Sequence, residues 1–215
     1  MAKEMKSGLT TSNRQAAYTA RNRAALIRAG QEVLAEIGPS ATIEQLAAHA
    51  EVSPTTIYKY FENKDLLFLE ALGGALTSWL EWAATQDQAP ERLQRIIELP
   101  RRLFRTRQTH PLFSQMLHNS LNHNPNFMID ADGGEGKRVF KALANAGEVK
   151  IDEFEERYAI WAHSVSGLTR SVLVDGTLSP EKADIALGFA LSAWGISEAK
   201  AKKIISRDLG LTLIK

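Results

Sequence analysis

Residues 52–61 read Val-Ser-Pro-Thr-Thr-Ile-Tyr-Lys-Tyr-Phe, a short run rich in groups that can hydrogen-bond a polyanion. Ser53 is a good helix N-cap and Pro54 a good first helical residue. Set on a helix at about 100° per residue, Ile57 and Phe61 point one way, with Val52 packing from the preceding turn. Thr55, Thr56 and Lys59 point the opposite way, and Tyr58 and Tyr60 occupy the flanks. Hydroxyls and an ammonium suit phosphate oxygens, and threonine methyls suit the thymine methyl in the major groove of a duplex. A plain surface helix with rim tyrosines would show the same residues, so this stretch alone leaves both readings open.

The elements around it narrow the choice. From Asn22, Ala25, Leu26, Ala29, Val33, Leu34 and Ile37 recur at three- and four-residue steps, and Gly38-Pro39 stops the run. Thr42 and Gln45 form a capping-box pair that opens a second helix with Ile43, Leu46, Ala47 and Ala50 on its apolar face. Only Glu51, Val52 and Ser53 separate that helix from the third. Asn63 then caps a longer fourth helix, and Lys64 stands just past the third, within reach of a phosphate. Two helices joined by so short a turn make a helix-turn-helix, whose second helix enters the major groove. The amides at the start of the second helix, beside Thr42, can also meet a phosphate.

The stretch TIEQLAAHAEVSPTTIYKYFENKDLLFLEAL, residues 42–72, resembles the DNA-binding domain of TetR-family transcriptional regulators. The features that match are the Thr-Ile helix start, the LAAHAEVS turn, the IYKYF core and the NKDLL cap, and the resemblance covers about residues 20–72. It implies a three-helix DNA head on an all-helical ligand-binding and dimerisation body. Carried over by position, the DNA contacts are Thr42, Thr55, Thr56, Tyr58, Lys59, Tyr60 and Lys64, with Ser53 and Pro54 at the start of the reading helix. Ile57 and Phe61 are core. One residue departs from the pattern: Glu51 stands where such turns usually carry glycine, because the chain there favours a positive φ.

Beyond residue 72 the expected elements are all helical. They include helices after Pro90, around 112–121, over 136–146, from Asp152 to about Val174, from Pro180 to about Trp194, and a weaker one over 198–206. No strand alternation is legible, so the expected class is all-α with about nine or ten helices. Three segments follow: a flexible basic arm over 1–19, the head over 20–72 and the body over 73–215. Trp82, Phe104, Met116, Phe127, Phe140, Tyr158 and Trp161, spread over successive helices, are candidates to line a pocket for a small apolar or amphipathic effector. His163, Arg170 or Tyr158 could orient its polar end, although each of these residues could equally be core. Arg92, Arg95, Arg101, Arg102, Arg105 and Arg107 read as a solvated basic face. Small residues on 152–174 and 180–194 suit close helix packing, and the family resemblance makes these helices a dimer bundle.

No catalytic or metal constellation stands out. His118 and His123 are five apart, not the four that puts two ligands on one helical face. Gly136-Lys137 lacks the earlier glycine and the following Ser or Thr of a phosphate loop. No cofactor is expected.

The bulk numbers agree. Among 215 residues, 44% are hydrophobic and 24% charged, ample for a packed core. The net charge of +1 hides an asymmetry: residues 1–31 carry six Lys or Arg against one acid, and 32–70 two against seven. The arm can supply phosphate neutralisation that the head lacks, or serve only as a solubilising tail. With no cysteine and no long apolar run, the chain reads as a cytoplasmic protein with no membrane segment. The function expected is a homodimeric, ligand-responsive repressor of a palindromic operator, with half-sites about 34–36 Å apart. The alternatives are a helical small-molecule binding protein or enzyme with a vestigial head, and a nonspecific nucleoid binder.

Overall fold

A computed structural model describes residues 2–86, 89–131 and 133–211; the side chains of 2–12 and of residue 131 lie outside that description. The described residues hold twelve α-helices and one 3₁₀ turn and no strand, so the chain is all-α. The chain divides into two compact units, Met1–Leu76 and Thr77–Lys215.

The first unit contains α1 (Ala2–Glu36), α2 (Ile43–His49), α3 (Pro54–Tyr58) and the start of α4 (Lys64–Thr85). Helix α1 begins well before Asn22, where the apolar periodicity starts. Residues 13–21 of that extension are exposed. Leu26, Val33 and Leu34 of α1, Leu46 and Ala47 of α2, Ile57 of α3, and Phe61 and Leu67 are buried together. At Gly30 the fold requires glycine: a Cβ would stand 2.3 Å from Leu67 Cδ2 and 3.3 Å from Ala71 Cβ. Helices α1 and α4 pack through that gap, and Gln31 donates Nε2 to the Ala71 carbonyl at 3.0 Å.

The second unit continues α4 and adds α5 (Arg92–Leu103), α6 (Thr106–Thr109), α7 (Pro111–His123), α8 (Phe127–Ala131) and α9 (Glu135–Asn145). It closes with α10 (Phe154–Leu173), α11 (Pro180–Ala190), the 3₁₀ turn Leu191–Trp194 and α12 (Glu198–Ile205). Helix α5 runs through Pro100 and ends at Leu103. Helices α6 and α8 were not legible in the sequence, because four or five residues carry too little periodicity to register.

The basic face is solvated only in part: Arg92, Arg95 and Arg107 are exposed, but the other three arginines are not. Arg101 and Arg102 are buried, and Arg105 keeps only 13% of its side chain exposed. Asp184 of α11 takes Arg101 Nε at 3.1 Å and Arg105 Nη2 at 2.9 Å. Glu98, also buried, takes Arg102 Nη2 at 2.9 Å and Arg207 Nη1 at 3.2 Å. For Arg101 and Arg105 the reading failed because their carboxylate comes from elsewhere in the chain, Asp184 lying 79 residues beyond Arg105, whereas Arg102 pairs with Glu98 four residues earlier on the same helix.

Candidate nucleic-acid interface

Local chemistry builds the head. Thr42 Oγ1 accepts the Gln45 amide at 3.2 Å, and Gln45 Oε1 accepts the Thr42 amide at 2.8 Å, completing the capping box of α2. That helix ends in a Schellman turn. The Val52 amide reaches the Ala47 carbonyl at 2.9 Å and the Glu51 amide the Ala48 carbonyl at 3.2 Å. Such a turn needs a left-handed residue at its next-to-last position, just after the C-cap, and Glu51 supplies it with φ 53°. A side chain with a Cβ is strained there by about 1–2 kcal/mol. Glu51→Gly will therefore raise the stability of the head by up to about 1 kcal/mol after the extra freedom of glycine in the unfolded chain is deducted. Thermal melting checks this, and an unchanged or lower midpoint would contradict a strained turn.

Helix α3 starts where its sequence says. Ser53 Oγ accepts the Thr56 amide at 3.2 Å and lies 2.9 Å from Thr56 Oγ1. Ile57 is fully buried and Phe61 nearly so, with the Arg23 guanidinium 4.6 Å above the Phe61 ring. Thr55, Tyr58 and Lys59 are exposed, as are Thr42 and Ser53. The face is narrower than its composition suggests. Tyr60 is half-buried and its hydroxyl accepts Asn22 Nδ2 at 3.0 Å, so it ties α3 to α1. Lys64 Nζ donates to the Pro39 carbonyl at 3.1 Å and to Asp65 Oδ1 at 2.8 Å. Pro54 and Thr56 are half-buried.

The residues expected around an effector fall into separate places in the second unit. Phe140, Tyr158 and Trp161 come together with Trp194, which stacks on Phe140 at 4.5 Å between ring centroids; sequence reasoning overlooked Trp194. Trp82 meets the edge of His110 at 4.4 Å. Desolvation holds His110 below the usual histidine value, so its imidazole is neutral near pH 7. Phe104 and Met116 are buried and Phe127 is half-buried. Arg170 Nη1 serves the Leu121 carbonyl at 2.9 Å, and exposed His163 places Nδ1 2.8 Å from the Ala159 carbonyl. Among the described residues no group of three or more His, Asp or Glu could hold a metal ion. No helix of the described residues is long and apolar enough to cross a membrane.

A capped helix, a tight left-handed turn and a short helix pinned by two apolar residues define a helix-turn-helix head, here carried by a chain with a separate all-helical body. Residues 26–71, within the first unit, match the model of the bacterial regulatory proteins of the tetR family. Its fold is similar to that of RolR solved with resorcinol, at TM-score 0.68 and 18% identity over 91% of this chain and 98% of that one. It is also similar to TetR-family regulators from Marinobacter aquaeolei, at TM-score 0.56 and 21% identity over 84% and 97%, and from Haloarcula marismortui, at 0.55 and 18% over 82% and 97%. No curated protein matches the chain.

Proposed function

We propose that the protein is a ligand-responsive repressor that binds a palindromic operator as a homodimer. The observation that carries this is the division of α3: Ile57 and Phe61 are spent on the core, and Thr55, Tyr58 and Lys59 remain outside. Thr55 and Thr56 read base edges; Lys59, Tyr58, Thr42, Ser53 and Lys64 hold phosphates, and Pro54 and Tyr60 fix the helix that presents them. Lys64 must share its ammonium with Pro39 and Asp65 to do so.

The dimer forms through α10 and α11. Ala183, Leu187 and Leu191 are used inside the body, so the outward face is a different one. It carries Ile160 and Phe189, at 51% and 69% exposed, which are large apolar groups to leave in water. The effector is a small apolar or amphipathic molecule, a reading supported by the resorcinol in the similar RolR structure. It acts by population shift, limited by its differential affinity for the DNA-competent and DNA-incompetent states.

A gel-shift titration against the promoter of the protein's own gene, with scrambled competitor and a salt series, tests this. Preferential binding to the promoter is expected; no shift would favour a vestigial head, and no preference a nucleoid binder. Lys59→Ala will weaken binding to every sequence alike and reduce the salt slope by about 1. An unchanged slope would remove Lys59 from the phosphate contacts.

A further inference from the structure

A cleft of about 610 Å³ opens between α5, α11 and α12, within the size range of small-molecule sites. None of the residues expected around an effector lines it. Its wall is apolar at Ile185, Ile205, Leu209 and Leu211, and cationic at Arg101, Arg105, Lys202 and Arg207. The cations are poorly matched from behind. Arg101, Arg102, Arg105 and Arg207 form one group with the buried Glu98 and Asp184 and the exposed Glu181, which stands 3.6 Å from Arg105 Nη2: four guanidiniums on three carboxylates, two of them buried. Backbone carbonyls offset part of the excess: Arg101 gives Nη1 to Ile204 at 3.3 Å and Nη2 to Arg207 at 2.9 Å. Full positive charge still outnumbers negative in a region largely withdrawn from water, where each unpaired charge is costly. Burial lowers the Arg101 pKa from its ordinary value, and Asp184 opposes that shift.

We infer that this cleft binds a monocarboxylate with an apolar tail, its carboxylate on Arg207 and on Lys202, whose exposed ammonium otherwise faces Glu198 at 3.5 Å, and its tail along Ile205 and Leu209. Guanidinium forks match carboxylates in two-point contacts. Arg207 has the capacity: 29% of its side chain is exposed, and its contact with Glu98 uses one nitrogen. A dianion is disfavoured, because Glu181 and Asp208 also line the cleft. Glu181 stays ionised, its pKa lowered by its own backbone amide and the Ser179 hydroxyl.

The test is calorimetric titration of the full-length protein, without DNA, using octanoate, octanamide and acetate as probes. Octanoate will bind saturably. Octanamide, lacking the charge, and acetate, lacking the tail, will each bind about tenfold more weakly or worse. Arg207→Gln combined with Lys202→Gln will weaken octanoate by about tenfold or more, with the melting temperature confirming the fold. Lys203→Gln, on an exposed residue of α12 outside the cleft, will not change it. Equal binding of octanoate and octanamide, equal binding of acetate, no saturable heat, or an unchanged double variant would each overturn the assignment. These readouts are independent of DNA, so a failed gel shift and a failed titration are separate results.

Discussion

Asp184→Ala will destabilise the body by about 3–5 kcal/mol, a large part of the stability of an ordinary domain. Asp184 is buried on α11, stands 3.1 Å from Arg101 Nε as an ion pair, and accepts both terminal nitrogens of Arg105, at 3.2 and 2.9 Å. Its removal strands two guanidiniums that cannot discard their charge, since arginine does not deprotonate in the accessible pH range. Asp184→Asn keeps an acceptor oxygen but loses the charge, and should fall between the two. Chemical denaturation of the full-length protein, followed by tryptophan fluorescence, measures both variants. A loss below about 1 kcal/mol for the alanine variant would mean the pair is screened by water, like a surface salt bridge. Replacing Arg101 and Arg105 with methionine along with Asp184→Ala will recover only part of the loss. Arg101 also serves the Ile204 and Arg207 carbonyls, which would then lose their donor.

Ile57→Ala will have the largest effect on DNA binding for a residue that touches no DNA. Ile57 is fully buried in the head, and truncating such a side chain costs about 2–5 kcal/mol. Helix α3 has only five residues and cannot persist in water without its anchor. Loss of that anchor removes the surface that reads the operator, so the specific gel shift should disappear while weak, salt-sensitive binding persists. Thr55→Ala is the companion. Thr55 is exposed, so stability should change by less than about 0.5 kcal/mol while binding to the operator weakens. The two variants separate holding the helix from reading with it. Wild-type operator affinity in the Ile57 variant would refute the division of α3 on which the function rests.

The head was legible because its determinants are local. The Thr42–Gln45 box, the Ser53 cap on Thr56 and the Asn63 cap on the Leu66 amide each close within three residues. The left-handed Glu51 was readable as a residue standing where a turn wants glycine. What the sequence hid in the head was long-range: Tyr60 bound to Asn22 and Lys64 bound to Pro39, partners 38 and 25 residues away. The body was hidden for the same reason on a larger scale. Arg101 and Arg105 look solvated until Asp184, 79 residues beyond Arg105, is brought against them. One signal was available. Asp184 shares a helical face with Leu187 and Gly188, and an acid turned toward an apolar stripe asks for a buried cation. The aromatic residues gave less away, because Phe140, Tyr158 and Trp161 carry no mark that separates filling a core from lining a gap.

The two carbonyls that occupy Arg101 lie within a dozen residues of the end of the printed sequence. A deletion that stops short of residue 204 would leave a cation sealed in the interior with its acceptors gone, and the damage would surface as poor yield of intact protein. Shortened versions prepared for crystallisation or fusion should retain Arg207, whereas additions beyond that point leave this clasp alone.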